Sequence, residues 1–115
     1  MVDYQWGVFW ANLDPARGSE QAGVRPVLVV SVEEVNKVLP VLTVLSLTSL
    51  KEGRKIYPVE VFLPASETGL PRDSIAMAYQ IRSIAKSRLG EKCGAIVSAS
   101  LREQIRSAVK LYLDL

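Results

Sequence analysis

Histidine is missing from the 115 residues altogether. No imidazole can act as acid, base or metal ligand, which excludes Ser-His-Asp and Cys-His nucleophiles and two-histidine ribonuclease chemistry. Cysteine occurs once, at Cys93, so neither an intramolecular disulfide nor a thiolate zinc site can form. A single thiol suits a reducing cytoplasm. Long apolar runs are also lacking: the richest stretch, Val38 to Leu47, is broken by Pro40, Thr43 and Ser46. It falls far short of the roughly 20 residues that span a bilayer. The opening Met1-Val2-Asp3-Tyr4 has no basic start followed by an apolar core, so neither secretion nor a membrane is expected. Fourteen Lys and Arg against twelve Asp and Glu leave a net charge of only +2. That excess is too small to argue for a polyanionic partner, and the distribution of charge has to decide.

What is present describes a folded chain. With 49% hydrophobic and 23% charged residues, residues 1–115 are expected to form one domain, large enough to bury roughly two thirds of the unfolded surface without staples. Trp6 to Leu13 reads as a strand covered on both sides, with Trp6, Val8 and Trp10 on one face and Phe9 and Ala11 on the other. Asp14-Pro15 and Gly18 mark a loop, and Arg25 to Ser31 is a second strand with Pro26 near its start. Further strands are expected at Val41 to Leu47, Val59 to Leu63 and Ser74 to Ile81. A basic, Gly-containing connection, Lys51 to Lys55, precedes the fourth of them. Ile84 to Leu89 fits a short helical turn, and Gly90 and Gly94 read as breaks. From Ser100 the period changes: Leu101, Ile105, Ala108, Val109 and Tyr112 share one helical stripe, and Ser100 with Glu103 fits a capping box. Five short strands and one amphipathic helix predict a mostly β fold, a small antiparallel barrel with helical cover.

Function must come from particular side chains. The run Gly7-Val8-Phe9-Trp10-Ala11-Asn12-Leu13-Asp14-Pro15 is followed by Gly18-Ser19-Glu20-Gln21 and by Gly23-Val24-Arg25-Pro26-Val27-Leu28-Val29-Val30-Ser31. Leu47-Thr48-Ser49, Gly69-Leu70, Asp73-Ser74, Gln80-Ile81-Arg82-Ser83-Ile84 and Arg88-Leu89 continue the series in order. Together they resemble the MazF/PemK toxin family over nearly the whole chain. The resemblance implies an SH3-like barrel that forms a homodimer and cleaves single-stranded RNA without a metal or other cofactor. It also implies a cognate antitoxin, expected to bring an acidic flexible segment that competes with RNA for arginines.

RNA supplies its own nucleophile, so such a protein must orient the 2′-hydroxyl, take its proton, stabilise charge on phosphorus and protonate the departing 5′-oxygen. The resemblance makes Arg25 and Thr48 the catalytic pair, with the guanidinium meeting the in-line phosphate and the hydroxyl positioning it. Read without the motif, they are a solvated arginine at a strand start and an ordinary strand threonine. Glu20 is the carboxylate available in the loop before Arg25, and orienting Arg25 or reading a base edge ranks above proton transfer. Gln80 and Arg82 alternate with Ile81 and are expected on one groove face, as an amide for base edges and a phosphate contact. Ser49, Asp73 and Ser74 match further family positions associated with the substrate groove. Lys51, Arg54 and Lys55 form a basic loop expected to close over RNA, and Tyr57 and Tyr79 are candidates for base stacking. Some relatives carry an acidic residue where this sequence has Tyr79, which argues against moving their acid-base scheme here. Two other readings remain: a non-catalytic toxin of the same fold that binds a protein such as a topoisomerase, and a plain interaction module. For dimerisation, the two-sided apolar first strand is expected to leave surface for a second copy.

Overall fold

The computed structural model describes residues 3–15 and 17–115; Met1 and Val2, which open the run read above for a leader, lie outside them, as does Ala16. Six strands form one antiparallel sheet: β1 (Gly7–Asn12), β2 (Val24–Val29), β3 (Val41–Ser49), β4 (Glu60–Leu63), β5 (Ser74–Ala85) and β6 (Leu89–Ala95). Their spatial order is β4-β5-β3-β2-β1-β6. Alternation along the strands gives the sheet two apolar faces. Val8, Leu28, Leu45, Leu47, Val61 and Leu63 share one cluster, while Phe9, Leu13, Val27, Val29, Val44 and Ile84 share the other. The helix α1 (Glu33–Asn36) follows β2, α2 (Ala65–Thr68) follows β4, and α3 (Ala99–Leu113) closes the chain. The mostly β architecture with a terminal helix agrees with expectation.

The helix α3 places Leu101, Ile105 and Ala108 in the first cluster, with Val109 half-buried beside them. Tyr112 stays exposed, because the stripe rotates away from the core in the last turn. The cap also differs from the expected Ser100–Glu103 box. Ser98 is the N-cap, its Oγ accepting the Leu101 N–H at 3.2 Å, and Ser100 is already inside the helix. Trp6 precedes β1 rather than starting it and takes a left-handed φ of 68°. Its N–H donates to Val29 at 2.8 Å and its carbonyl accepts from Ile96 at 2.8 Å, so neighbours on both sides hold this strained residue. The guanidinium carbons of Arg102 and Arg106 lie 5.3 and 5.1 Å from its ring.

Three other expectations are corrected. The glycines at 90 and 94 do not break the chain but sit within β6, where a Cβ on Gly94 would lie 2.8 Å from the Thr68 carbonyl oxygen. Glycine there allows an edge strand to press against the end of α2. The short helical turn expected within Ile84 to Leu89 is present as the 3-10 residues Lys86–Arg88, whereas the fifth strand, expected to end at Ile81, runs on to Ala85 against Val41. Finally, β1 lies between β2 and β6 with Val8, Phe9, Ala11 and Leu13 buried, so its two apolar faces are covered by this chain itself. Only Trp10 of its apolar side chains keeps exposed surface.

Candidate active site

The strands β2 and β3 pair Val27 with Ser46, Leu28 with Leu45 and Val29 with Val44. Carried two residues further, the same register brings Arg25 across from Thr48, on the face that Val27 and Ser46 share. Both residues line a cavity of about 270 Å³, together with Ser49, Arg72 and Ser74. Arg25 is exposed at the mouth, and its Nε donates to the Ala22 carbonyl at 3.1 Å, which fixes one edge of the guanidinium and leaves the other free. Ser74 is buried and its hydroxyl donates to the Arg72 carbonyl at 3.0 Å. Trp10, Leu70 and Cys93 supply an apolar wall. Burial pushes the Cys93 thiol above its ordinary value. No carboxylate lines this cavity among the described residues. The guanidinium-bearing Arg25 and Arg72 and the hydroxyl-bearing Thr48 and Ser49 therefore line a space where an anion meets donors and no competing negative charge, with the Ser74 hydroxyl proton committed to the Arg72 carbonyl.

A second cavity of about 290 Å³ adjoins the first, since Thr48 and Ser49 line both. Its other walls include Gln21, Lys51, Arg54 and Tyr79. Tyr79 is in β5 where the register against β3 slips: Val44 pairs with Arg82 but Ser46 with Met77, leaving residues 78–81 bulged opposite one. Such a bulge re-aims side chains that regular alternation would send elsewhere. Behind this cavity lies Glu60 of β4, buried, with each carboxylate oxygen accepting twice. Oε1 takes Arg54 Nη1 at 2.9 Å and the Tyr57 N–H at 3.0 Å; Oε2 takes Arg54 Nη2 at 2.7 Å and the Tyr79 hydroxyl at 2.8 Å. The Arg54 guanidinium outweighs burial and holds the Glu60 carboxyl at about 2, against an ordinary 4.5. Arg54 is raised in return, chiefly by the same hydrogen bonds, and Tyr79 is raised by burial and then by its bond to Glu60.

The family model for the PemK-like, MazF-like toxin of type II toxin-antitoxin systems matches residues 4–113. The chain belongs to this family. It is 44% identical to endoribonuclease MazF9 of Mycobacterium tuberculosis over 95% of each chain. Against endoribonuclease EndoA of Bacillus subtilis it is 39% identical, covering all of this chain and 97% of the relative. Among solved structures, the crystal structure of MazF from Deinococcus radiodurans superposes with a TM-score of 0.81 at 30% identity, covering 100% and 99% of the two chains. A MazE-MazF complex from the same organism superposes at 0.75 with 26% identity, covering 100% and 98%.

Of the residues singled out in the sequence of this MazF-like chain, Arg25, Thr48, Ser49 and Ser74 come together around the first cavity. Lys51, Arg54 and Tyr79 line the second cavity, whereas Glu20, Lys55, Tyr57, Asp73, Gln80 and Arg82 line neither. Glu20 closes a turn in its own loop, accepting the Arg17 N–H at 2.7 Å, and the carbonyl of Ala22 takes the orienting role expected of it. Asp73 accepts the Ala65 N–H at 2.8 Å and thereby caps α2 from outside. Gln80 donates to the Ser19 carbonyl at 3.1 Å, tying the β1–β2 loop to β5. Arg82 is half-buried, and its Nη1 is buried without a hydrogen-bond partner; it pairs with Val44, beyond the bulge from Met77. Arg54 is not a free phosphate ligand on an open loop, because Glu60 grips it on both nitrogens. Arg72 and Glu60 were not anticipated. Arg72 had a local signal, a cation beside Asp73-Ser74, whereas Glu60 looks like a solvated strand residue until the loop carrying Arg54 folds over it. Among the described residues, no group of three or more Cys, Asp and Glu is placed to hold a metal ion, and no helix is long and apolar enough to cross a membrane.

Proposed function

We propose that this chain is the toxin of a type II toxin-antitoxin pair and acts in the cytoplasm as a sequence-specific endoribonuclease on single-stranded RNA. The single domain spans residues 1–115 and works as a homodimer. The observation that carries the reading is the first cavity, where Arg25 and Arg72 join Thr48, Ser49 and Ser74 with no carboxylate in the lining. A phosphodiester fits that donor set. In the reaction the ribose 2′-oxygen forms a bond to the adjacent phosphorus as the bond from phosphorus to the 5′-oxygen breaks. The 2′ proton leaves to a base and a proton reaches the 5′-oxygen, leaving a 5′-hydroxyl end. Arg25 and Thr48 are the catalytic pair: the free edge of the guanidinium meets the charge gained by the non-bridging oxygens, and the threonine hydroxyl fixes the phosphate beside it. Ser49 and Ser74 bind the same backbone, while Asp73 and Gln80 serve it indirectly through α2 and the β1–β2 loop. DNA lacks the nucleophile and is not cut.

The names of the relatives, endoribonucleases, and a solved MazE-MazF complex support this reading and a cognate antitoxin whose acidic segment occupies the arginine-lined cavity. Trp10 and Val24, 39% and 66% exposed at the rim, offer apolar surface to a second copy. The test is to incubate the protein with a long RNA in chelator and map the new ends. Discrete cuts bearing 5′-hydroxyls, lowered about 10²- to 10³-fold by Arg25→Ala, are the expected result. Intact RNA, or cutting that Arg25→Ala leaves unchanged, rejects the assignment.

A further inference from the structure

Glu60 is the most buried acidic side chain of the chain's described ion pairs, with 1% of its surface accessible, and it touches neither cavity. A carboxylate offers about four acceptor positions, and here all four are taken, by Arg54 twice, by the Tyr57 N–H and by the Tyr79 hydroxyl. All four donors come from segments that border the second cavity: the loop after β3 supplies the two Arg54 nitrogens and the Tyr57 N–H, and the β5 bulge supplies Tyr79. Left to themselves these are the least constrained parts of that wall. Arg54 is on a long flexible stem, and Tyr79 lies where β5 has lost its register with β3. Glu60 replaces that freedom with one arrangement. The aligned donors are charge-assisted and bidentate, so the guanidinium plane is fixed in direction as well as position.

We infer that Glu60 is a positioning residue for RNA: it sets Arg54 and the Tyr79 ring as walls of the second cavity, which receives a nucleotide flanking the scissile phosphate. This rests on the nuclease reading above. The cavity shares Thr48 and Ser49 with the first, so a strand whose phosphate lies at Arg25 and Thr48 continues into it. Its lining suits that occupant. Tyr79 presents an aromatic ring whose hydroxyl is already spent on Glu60, leaving the π-face as its means of contact with a base. Lys51 brings an ammonium group for the next phosphate. Glu60 also neutralises Arg54, so the cavity is less cationic than its two basic residues suggest and selects for a base as much as for charge.

The test separates this inference from the nuclease reading by measuring binding first. Single strands of random sequence, about six and about twenty nucleotides long and deoxy throughout so that nothing can be cut, are followed by fluorescence anisotropy in chelator. The wild-type protein is expected to bind the long strand more tightly than the short one. Glu60→Gln and Tyr79→Phe are each expected to lower that length advantage by about threefold to fivefold, less than the loss of a whole stacking contact because the ring is retained but no longer held in place. Cleavage of RNAs of both lengths around a mapped cut should show the same split, with KM for the long RNA rising by the same factor and kcat moving less. Circular dichroism checks that each variant folds; should Glu60→Gln unfold, Tyr79→Phe keeps the ring and loses only one hydrogen bond. Equal losses for both lengths, an unchanged length advantage in Tyr79→Phe, or a fall in kcat at constant KM overturns the inference. Wild-type protein that binds with the expected length dependence and cuts nothing upholds the placement and rejects the nuclease reading instead.

Discussion

The Arg54 guanidinium and the Glu60 carboxylate face each other two nitrogens to two oxygens, at 2.9 and 2.7 Å, with the carboxylate side chain almost wholly removed from solvent. A buried pair is not automatically stabilising, because both ions give up hydration. Here Arg54 keeps 28% of its side-chain surface accessible, which limits its share of that loss.

The pair makes acid sensitivity predictable. Glu60 titrates at about 2 in the folded chain against an ordinary 4.5, so its contribution is fully present above about pH 4.5 and is lost as pH falls through about 2. Glu33 acts in the same direction: burial raises its carboxyl, but the N–H groups of Gln5 and Tyr4 outweigh that and hold it below its ordinary value. Urea midpoints measured between pH 6 and pH 2.5 should fall with acid, with Glu60 accounting for roughly 2 kcal/mol of the change. Glu60→Gln should be less stable at pH 6 and show a flatter acid limb. A parallel acid limb in that variant would contradict the assignment.

Capping at α3 separates two nearby serines. Ser98 accepts the Leu101 N–H, whereas Ser100 accepts only a side-chain bond from Gln104 at 3.3 Å. Ser98→Ala should cost about 1 kcal/mol in a urea melt, and Ser100→Ala a few tenths or a slight gain.

Gly94 is a packing constraint rather than a hinge. A Cβ there would stand 2.8 Å from the Thr68 carbonyl oxygen and 2.9 Å from Leu70 Cδ2, and the first of these is backbone that cannot swing away. Gly94→Ala should destabilise by about 1–3 kcal/mol. Gly90→Ala, whose nearest contact would be the Trp10 carbonyl oxygen at 3.4 Å, is the control and should be tolerated better.

Salt should reveal which arginines meet phosphate. The logarithm of single-strand affinity is expected to fall linearly with the logarithm of salt concentration, by about 0.7 for each phosphate contacted. Arg25→Ala and Arg72→Ala should each reduce the slope by about that amount. Arg54→Ala should not, because its charge is already met by Glu60.

Much of this was legible in the sequence, and the exceptions have local causes. Strands such as Val41–Ser49 announce themselves through β-branched alternation, and the helix through its Leu101, Ile105 and Ala108 stripe. The strand β6 was hidden because its glycines serve close approach, and proximity to Thr68 is written nowhere near residue 94. In the site, Arg25, Thr48, Ser49 and Ser74 were found through ordered motifs. Gln80 and Asp73 belong to the same motifs, yet their side chains hold a loop and a helix end. Glu60 depends on a loop folding back over a strand to bring Arg54, an event with no periodicity to read, and on Tyr79 reaching it from two residues beyond its cross-strand partner Met77.

The loop between β1 and β2 is fastened at two distant points. Gln80 holds the Ser19 carbonyl, and Arg88 donates to the carbonyls of Asn12 and Asp14 at 3.2 and 2.8 Å. Both fasteners grip main-chain oxygens, which every residue possesses whatever its side chain. The clasps themselves therefore place no demand on side chains, while Asp14, which accepts the Gly23 N–H, Glu20, which accepts the Arg17 N–H, and the left-handed Gly18 and Gly23 shape the path between them, and the loop cannot change length without slipping off one clasp. A same-length loop from another family member that keeps equivalents of Asp14, Gly18, Glu20 and Gly23 should graft cleanly onto this scaffold, whereas a longer or shorter one would have to bring its own substitutes for residues 80 and 88.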